Sequence, residues 1–180
     1  ALVSLGGIAD WFLLHNRRIV NRNDDSVVRE QHGDMRILRR SRGTVPNAIR
    51  LARPVRLPIL ACGADLKSAV GLARGDEFYF GQHLGELETA ASQEFYDSAV
   101  RRLFNLTGTS PDLIACDMHP DYLSTRWAQQ QEKEVLEVQH HHAHLVSVMA
   151  ENQAQGPCLG VILDGTGFGP DGTIWGGEFL

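Results

Sequence analysis

A chain of 180 residues with 43% hydrophobic residues carries enough apolar material to bury a core; it excludes disorder and suits one domain or one and a fraction. The longest apolar runs, 57–62 and 159–163, fall far short of the roughly 18 residues that cross a bilayer, so no membrane segment is expected. The formal net charge of -5 is unevenly spread: residues 1–56 hold eleven Arg and no Lys against five acidic residues, net +6, whereas residues 57–180 carry -11.

The sign change suggests two units with different ligands. Arg without Lys suits planar, bidentate contact with small anions, and a solvated Arg-rich surface explains it equally well. The opening Ala1-Leu2-Val3-Ser4-Leu5-Gly6-Gly7 lacks the basic stretch and cleavage site of a signal peptide. The absence of an initiator Met, and an ending at Gly176-Gly177-Glu178-Phe179-Leu180 that reads as mid-strand, are expected of an interior piece of a longer protein. Cys62, Cys116 and Cys158, each in an apolar strand-like context, predict buried thiols in a reducing, cytoplasmic compartment.

In chain order, alternation around Ile19 and Val27 predicts two short strands. Pro46, Pro54 and Pro58 then punctuate a linker-like stretch. Three strands are expected at 57–62, 68–73 and 77–80, the last two joined by the Gly75-Asp76 hairpin signal. A helix over 92–106 would bury Phe95, Ala99, Leu103 and Leu106, with Gly108 past its end. There follow a strand at 113–116, a helix near 122–130, a strand at 134–138, a helix over about 141–152 and a strand at 158–163. Meander strands followed by alternating helix and strand predict an α/β fold with a mixed sheet, the order of the first half of an actin-like ATPase domain.

The sharpest local feature is His140-His141-His142-Ala143-His144, four of the eight histidines in five residues between a strand and an amphipathic helix. On a helix His140 and His144 share one face and can hold one metal, zinc or iron, with a carboxylate from elsewhere completing the set. A tag-like surface cluster would not stand between such elements. His141 and His142 point elsewhere, as supporting donors or packed side chains.

Asp164-Gly165-Thr166-Gly167 then places an Asp at a strand end before a glycine-rich turn, where backbone N–H groups can approach a phosphate, although Asp-Gly also marks ordinary hairpins. Were the strands at 134–138 and 158–163 parallel neighbours, His140, His144 and Asp164 would meet at one sheet edge. Lys67, the sole Lys before residue 133, lies in a turn and is either a phosphate contact or a solvated lysine. Asp117 and His119 belong to the same edge, with helix capping by Asp121 as the plainer reading of that segment.

Taken together, these strings, with Asp117-Met118-His119-Pro120-Asp121-Tyr122, Asn21-Arg22-Asn23-Asp24-Asp25-Ser26-Val27 and Gly172-Thr173-Ile174-Trp175-Gly176-Gly177-Glu178, resemble the HypF carbamoyltransferases of NiFe hydrogenase maturation over essentially the whole chain. The resemblance implies the end of a YrdC-like α+β domain at 1–52, a linker at 53–56 and, at 57–180, the first half of a transferase-like domain of the actin-like (ASKHA) class. It implies formation of carbamoyl-adenylate from carbamoyl phosphate and ATP with Mg, and transfer of the carbamoyl group to the C-terminal cysteine of a HypE-type acceptor protein.

His140, His144 and Asp164 match the family's metal and catalytic residues, and a later family Asp lies beyond Leu180. Lys67, Gly165, Thr166 and Gly167 would then bind nucleotide, and Arg22, Arg40 and Arg42 carbamoyl phosphate or adenylate. This sequence departs from the family at Arg18, Asn23, Ser68 and Thr44, where Pro, Cys, Asn and Tyr are expected. Nucleic acid is not an expected partner, and the 180 residues alone are expected to be inactive. The alternatives are a tRNA threonylcarbamoyl-adenosine transferase-like enzyme and a non-catalytic metal-binding module.

Overall fold

The computed structural model describes residues 2–180. After a single helical turn, α1 (Leu2–Leu5), the chain runs without regular structure to a hairpin of β1 (Val27–Gln31) and β2 (Asp34–Arg39). His32 and Gly33 turn it with positive φ of 57° and 88°. The strand expected around Ile19 does not form. Ile19 is exposed among Arg and Asn, with no sheet edge to pair with.

The body of the chain is a six-stranded mixed sheet. Its strands are β3 (Ala48–Arg50), β4 (Ile59–Ala61), β5 (Gly71–Arg74), β6 (Glu77–Phe80), β7 (Leu113–Asp117) and β8 (Glu134–Val138), in spatial order β3-β6-β5-β4-β7-β8. The meander β4-β5-β6 is antiparallel, closed at Gly75 with φ 57°, whereas β4, β7 and β8 run parallel. The short strand β3, in the linker-like stretch that precedes Pro54, adds to the edge by pairing with β6. Parallel strands need crossover connections, and the crossovers are α2 (Ala90–Thr107) between β6 and β7 and α3 (Leu123–Gln129) between β7 and β8.

Helix α2 starts earlier than its apolar pattern suggests, because Thr89 and Ser92 form a reciprocal capping box. It stops at Gly108, which takes the left-handed conformation. Its buried face is Tyr96, Ala99, Val100 and Leu103; Leu106, expected inside, is 61% exposed. That face packs on Leu60, Cys62, Val70, Leu72, Ile114 and Cys116 of the sheet region, and the Tyr96 hydroxyl donates to the Cys62 carbonyl at 2.9 Å. Burial pushes the Cys62 thiol up to about 12, so it stays protonated and inert. Cys158, by contrast, is exposed, because the strand expected around it does not extend that far.

Beyond β8 come α4 (His140–Glu151), β9 (Val161–Ile162), β10 (Gly167–Phe168), β11 (Ile174–Trp175) and β12 (Glu178–Phe179). The strand expected at 158–163 shrinks to β9, and it does not join the main sheet. It pairs antiparallel with β12, and Gly160 and Leu180 exchange both backbone hydrogen bonds to extend that ribbon. Chain reversal through the β10–β11 hairpin brings β12 back onto β9 and satisfies its edge locally. Among the described residues no helix is long and apolar enough to cross a membrane.

Leu60 is fully buried where β4 meets α2. Leu60→Ala is expected to lower unfolding free energy by about 2–5 kcal/mol. Leu136→Ala, at a half-exposed position of β8, should lower it by less than about 1 kcal/mol, both read by urea denaturation.

Candidate metal centre

Three loops leave the sheet at the same edge, because β4, β7 and β8 are parallel. Asp117 ends β7 opposite Val138, and Met118 N–H donates to the Val138 carbonyl at 3.2 Å, so the two chain ends leave side by side. Gln139 then caps α4, its side-chain oxygen accepting from the His142 N–H at 2.8 Å. This cap starts the helix at His140, one residue before the expected start, and puts both His140 and His144 on it.

The side chains of His140, His144 and Asp164 converge. His140 Nε2 lies 3.2 Å from His144 Nε2 and 3.1 Å from Asp164 Oδ2, and His144 Nε2 lies 3.3 Å from Asp164 Oδ2. Ligands about 2.0–2.2 Å from a first-row ion are separated by about 2.8–3.1 Å along an octahedral edge and about 3.3–3.6 Å along a tetrahedral one. The triangle therefore has the dimensions of one face of a coordination polyhedron, with two imidazoles and one carboxylate as its donors. His144 is about half exposed, so the triangle is accessible from solvent on its side. The expected route to this meeting was wrong, since β9 is not a parallel neighbour of β8; the Asp164 loop arrives instead from the β9–β12 ribbon packed on α4.

Asp117 orients His140. Its Oδ2 lies 2.6 Å from His140 Nδ1, and its Oδ1 accepts from the His119 N–H at 2.8 Å. With Nδ1–H directed to this carboxylate, the Nε2 lone pair faces the triangle, the usual support for a metal-ligating imidazole. The Asp117 hydrogen bond raises the His140 imidazole above its ordinary range, against burial, and Asp164 adds to the rise. Burial works against ionisation of Asp164, but the Gly165 N–H donating at 2.8 Å and the neighbouring imidazoles hold its carboxyl below the usual range. At neutral pH the site thus offers an anionic oxygen beside two imidazoles.

His119 stacks on Tyr122 at 4.4 Å and meets Phe168 at 5.2 Å, which ties the β7–α3 loop to β10. Asp121 does not cap α3. It pairs with Arg126, and the cap comes from Asp65, whose carboxylate accepts from Leu123 N–H at 2.7 Å and Ser124 N–H at 3.0 Å. That arrangement closes the α3 N-terminus to other anions. It was not legible in the sequence, since the partners lie 58 and 59 residues apart.

Lys67 is exposed in the β4–β5 connection with φ 53°, near His83, while Gly165 donates to Asp164, Gly167 lies against His141 and Thr166 between them is exposed. The three arginines lie elsewhere, outside the strands and helices: Arg22 lies 3.9 Å over Phe95, Arg40 lies 5.8 Å from the Phe80 ring, and Arg42 pairs with Asp25 at 3.4 Å. His142 is exposed, and His141 is fully buried against Glu178, a partner the sequence pattern did not single out.

The family model of the HypF Kae1-like domain matches residues 55–151. The chain belongs to the HypF family. It is 45% identical to the carbamoyltransferase HypF of Synechocystis over 100% of its own length and 24% of that protein's. Against the carbamoyltransferase HypF2 of Cupriavidus necator it is 46% identical over 98% of its length and 23% of the relative's. The crystal structure of full-length HypF in the phosphate- and nucleotide-bound form superposes with a TM-score of 0.92 at 42% identity, over 99% of this chain and 28% of that one. HypF of T. kodakarensis matches with a TM-score of 0.87 at 41% identity, over 98% and 23% of the two chains. The chain thus spans about a quarter of the length of the HypF proteins it matches.

Replacing Asp117 by Asn keeps the shape and removes the charge behind His140. The expected result is a metal affinity about 10–100-fold weaker by chelator competition. An unchanged affinity would mean that the helix alone orients the imidazole.

Proposed function

We propose that these residues form the metal-assisted nucleotide site of a cytoplasmic HypF-type carbamoyltransferase, which converts carbamoyl phosphate, water and ATP to carbamoyl-adenylate with release of phosphate and pyrophosphate. The carbamoyl group then passes to the C-terminal cysteine thiolate of a HypE-type acceptor, with AMP as the leaving group. A divalent ion, zinc or iron, held by His140, His144 and Asp164 would neutralise charge on the nucleotide phosphates. Asp117 keeps His140 in the tautomer such an ion requires. The Gly165 N–H is held by Asp164, so the glycine-rich turn would serve the nucleotide through the room it leaves. Membership of a family whose relatives are named carbamoyltransferases supports the reaction class.

The observation that carries the reading is the donor triangle with open space next to it. A Cβ built on Gly165 meets nothing within 4 Å, and no left-handed backbone demands a glycine there. Room kept free beside a metal triangle is what close approach of a phosphate needs. In this reading residues 1–52 close a YrdC-like domain in which Arg22, Arg40 and Arg42 bind the carbamoyl phosphate or adenylate. Residues 57–180 open the transferase-like domain, and Lys67 is a nucleotide contact. The change in charge sign, and a family match that begins at residue 55, support a division near 53–56.

The test is carbamoyl-phosphate-dependent exchange of pyrophosphate into ATP by the whole protein in which these residues lie. His140→Ala and His144→Ala are expected to lose metal and to cut transfer of the carbamoyl group to the acceptor cysteine at least about 100-fold, while exchange by the preceding domain persists. Metal binding without exchange in the intact wild-type protein would favour a non-catalytic module. Gly165→Val provides a second check: thermal stability should be unchanged, since the space is empty, while KM for ATP rises about tenfold or more. An unaltered KM would remove the phosphate from this loop.

A further inference from the structure

His141 lies between the two histidines of the donor triangle and belongs to neither arm of it. Its side chain is fully buried, on the face of α4 turned toward the glycine-rich loop. Nδ1 lies 3.4 Å from Glu178 Oε2. Nε2 has no hydrogen-bond partner among the described residues and lies 4.0 Å from Asp164 Oδ2. The ring also explains the third residue of the Gly165-Thr166-Gly167 run, because a Cβ on Gly167 would come 2.5 Å from His141 Nε2. Gly167 is small to admit an imidazole, whereas Gly165 is small with nothing near it.

These contacts bracket Asp164. Glu178 on β12 is the register partner of Ile162 on β9, two residues before Asp164, and Gly167 stands three residues after it. His141 therefore touches the ribbon that delivers Asp164 and the strand that carries the chain away. It does so from the same helix that bears His140 and His144. A residue chosen for volume alone would be apolar here, since a buried polar atom without a partner destabilises the fold.

We propose that His141 is a positioning residue for the metal centre: paired with Glu178 and seated against Gly167, it fixes the Asp164 carboxylate relative to the two ligating imidazoles. The inference rests on the metal reading of the triangle. Neither His141 nor Glu178 touches the ion; both act through the backbone on either side of Asp164.

Cobalt(II) is the probe, because its visible absorption reports coordination geometry independently of activity. In the full chain, His141→Leu keeps the buried volume and removes the polar link. It is expected to leave cooperative melting of the metal-free protein intact, to weaken cobalt affinity at least tenfold by chelator competition, and to change the cobalt spectrum. Glu178→Ala should act in the same direction, and Glu178→Gln, which keeps an oxygen to accept from Nδ1–H, should restore affinity and spectrum. Should His141→Leu fail to fold, the Glu178 pair still decides, because that side chain is partly exposed. Wild-type affinity and spectrum in both His141→Leu and Glu178→Ala would overturn the proposal while leaving the metal site standing. A wild-type chain that takes up no cobalt, or takes it up equally after His140→Ala, would overturn the metal reading itself.

Discussion

The parallel register of β7 and β8 is the constraint from which the site follows. Asp117 stands opposite Val138, so a carboxylate at the end of one strand lies beside the first turn of the helix that leaves the other. The Asp117–His140 contact at 2.6 Å then sets both the tautomer and the direction of the imidazole. Once His140 is aimed, helical periodicity supplies His144 without further cost, four residues on and on the same face. Only Asp164 must be brought from outside the strand–helix unit, and the glycine-rich segment with its small ribbons does that.

The molecule thus divides its labour between rigid and locally assembled parts. The sheet and α2 bury a continuous apolar core that holds the three parallel strand ends in place. Asp65, reaching from the β4–β5 connection to the α3 N-terminus, locks two of the edge loops together. The segment after α4 has no share in the main sheet; it folds as two-residue strands paired with one another and leans on α4. Precision at Asp164 therefore depends on side-chain contacts such as those of His141 more than on sheet register.

That division also explains what could be read from the sequence. Strands β6 and β8 were legible residue for residue, and α4 to within a residue, because each is governed by local periodicity and its flanking turn. The shared face of His140 and His144 was legible because helical spacing carries it, and the place of Asp117 because it follows a recognisable strand; Asp164 meets them by a route that the spacing did not show. The strand at 158–163 was not, since its apolar run looks like a sheet strand while its pairing is decided by the hairpin that follows. Ile19 and Cys158 misled for a related reason: apolar residues signal a strand only if an edge is within reach. The Asp65 cap and the His141–Glu178 contact join residues tens of positions apart, and nothing local announces them.

The proposed chemistry of the site requires one cation held by three named atoms. Anomalous diffraction from crystals grown with zinc or iron tests this directly. A single peak about 2.0–2.2 Å from His140 Nε2, His144 Nε2 and Asp164 Oδ2 is the predicted result. A metal bound elsewhere, or a triangle that stays without density at saturating metal, would contradict it.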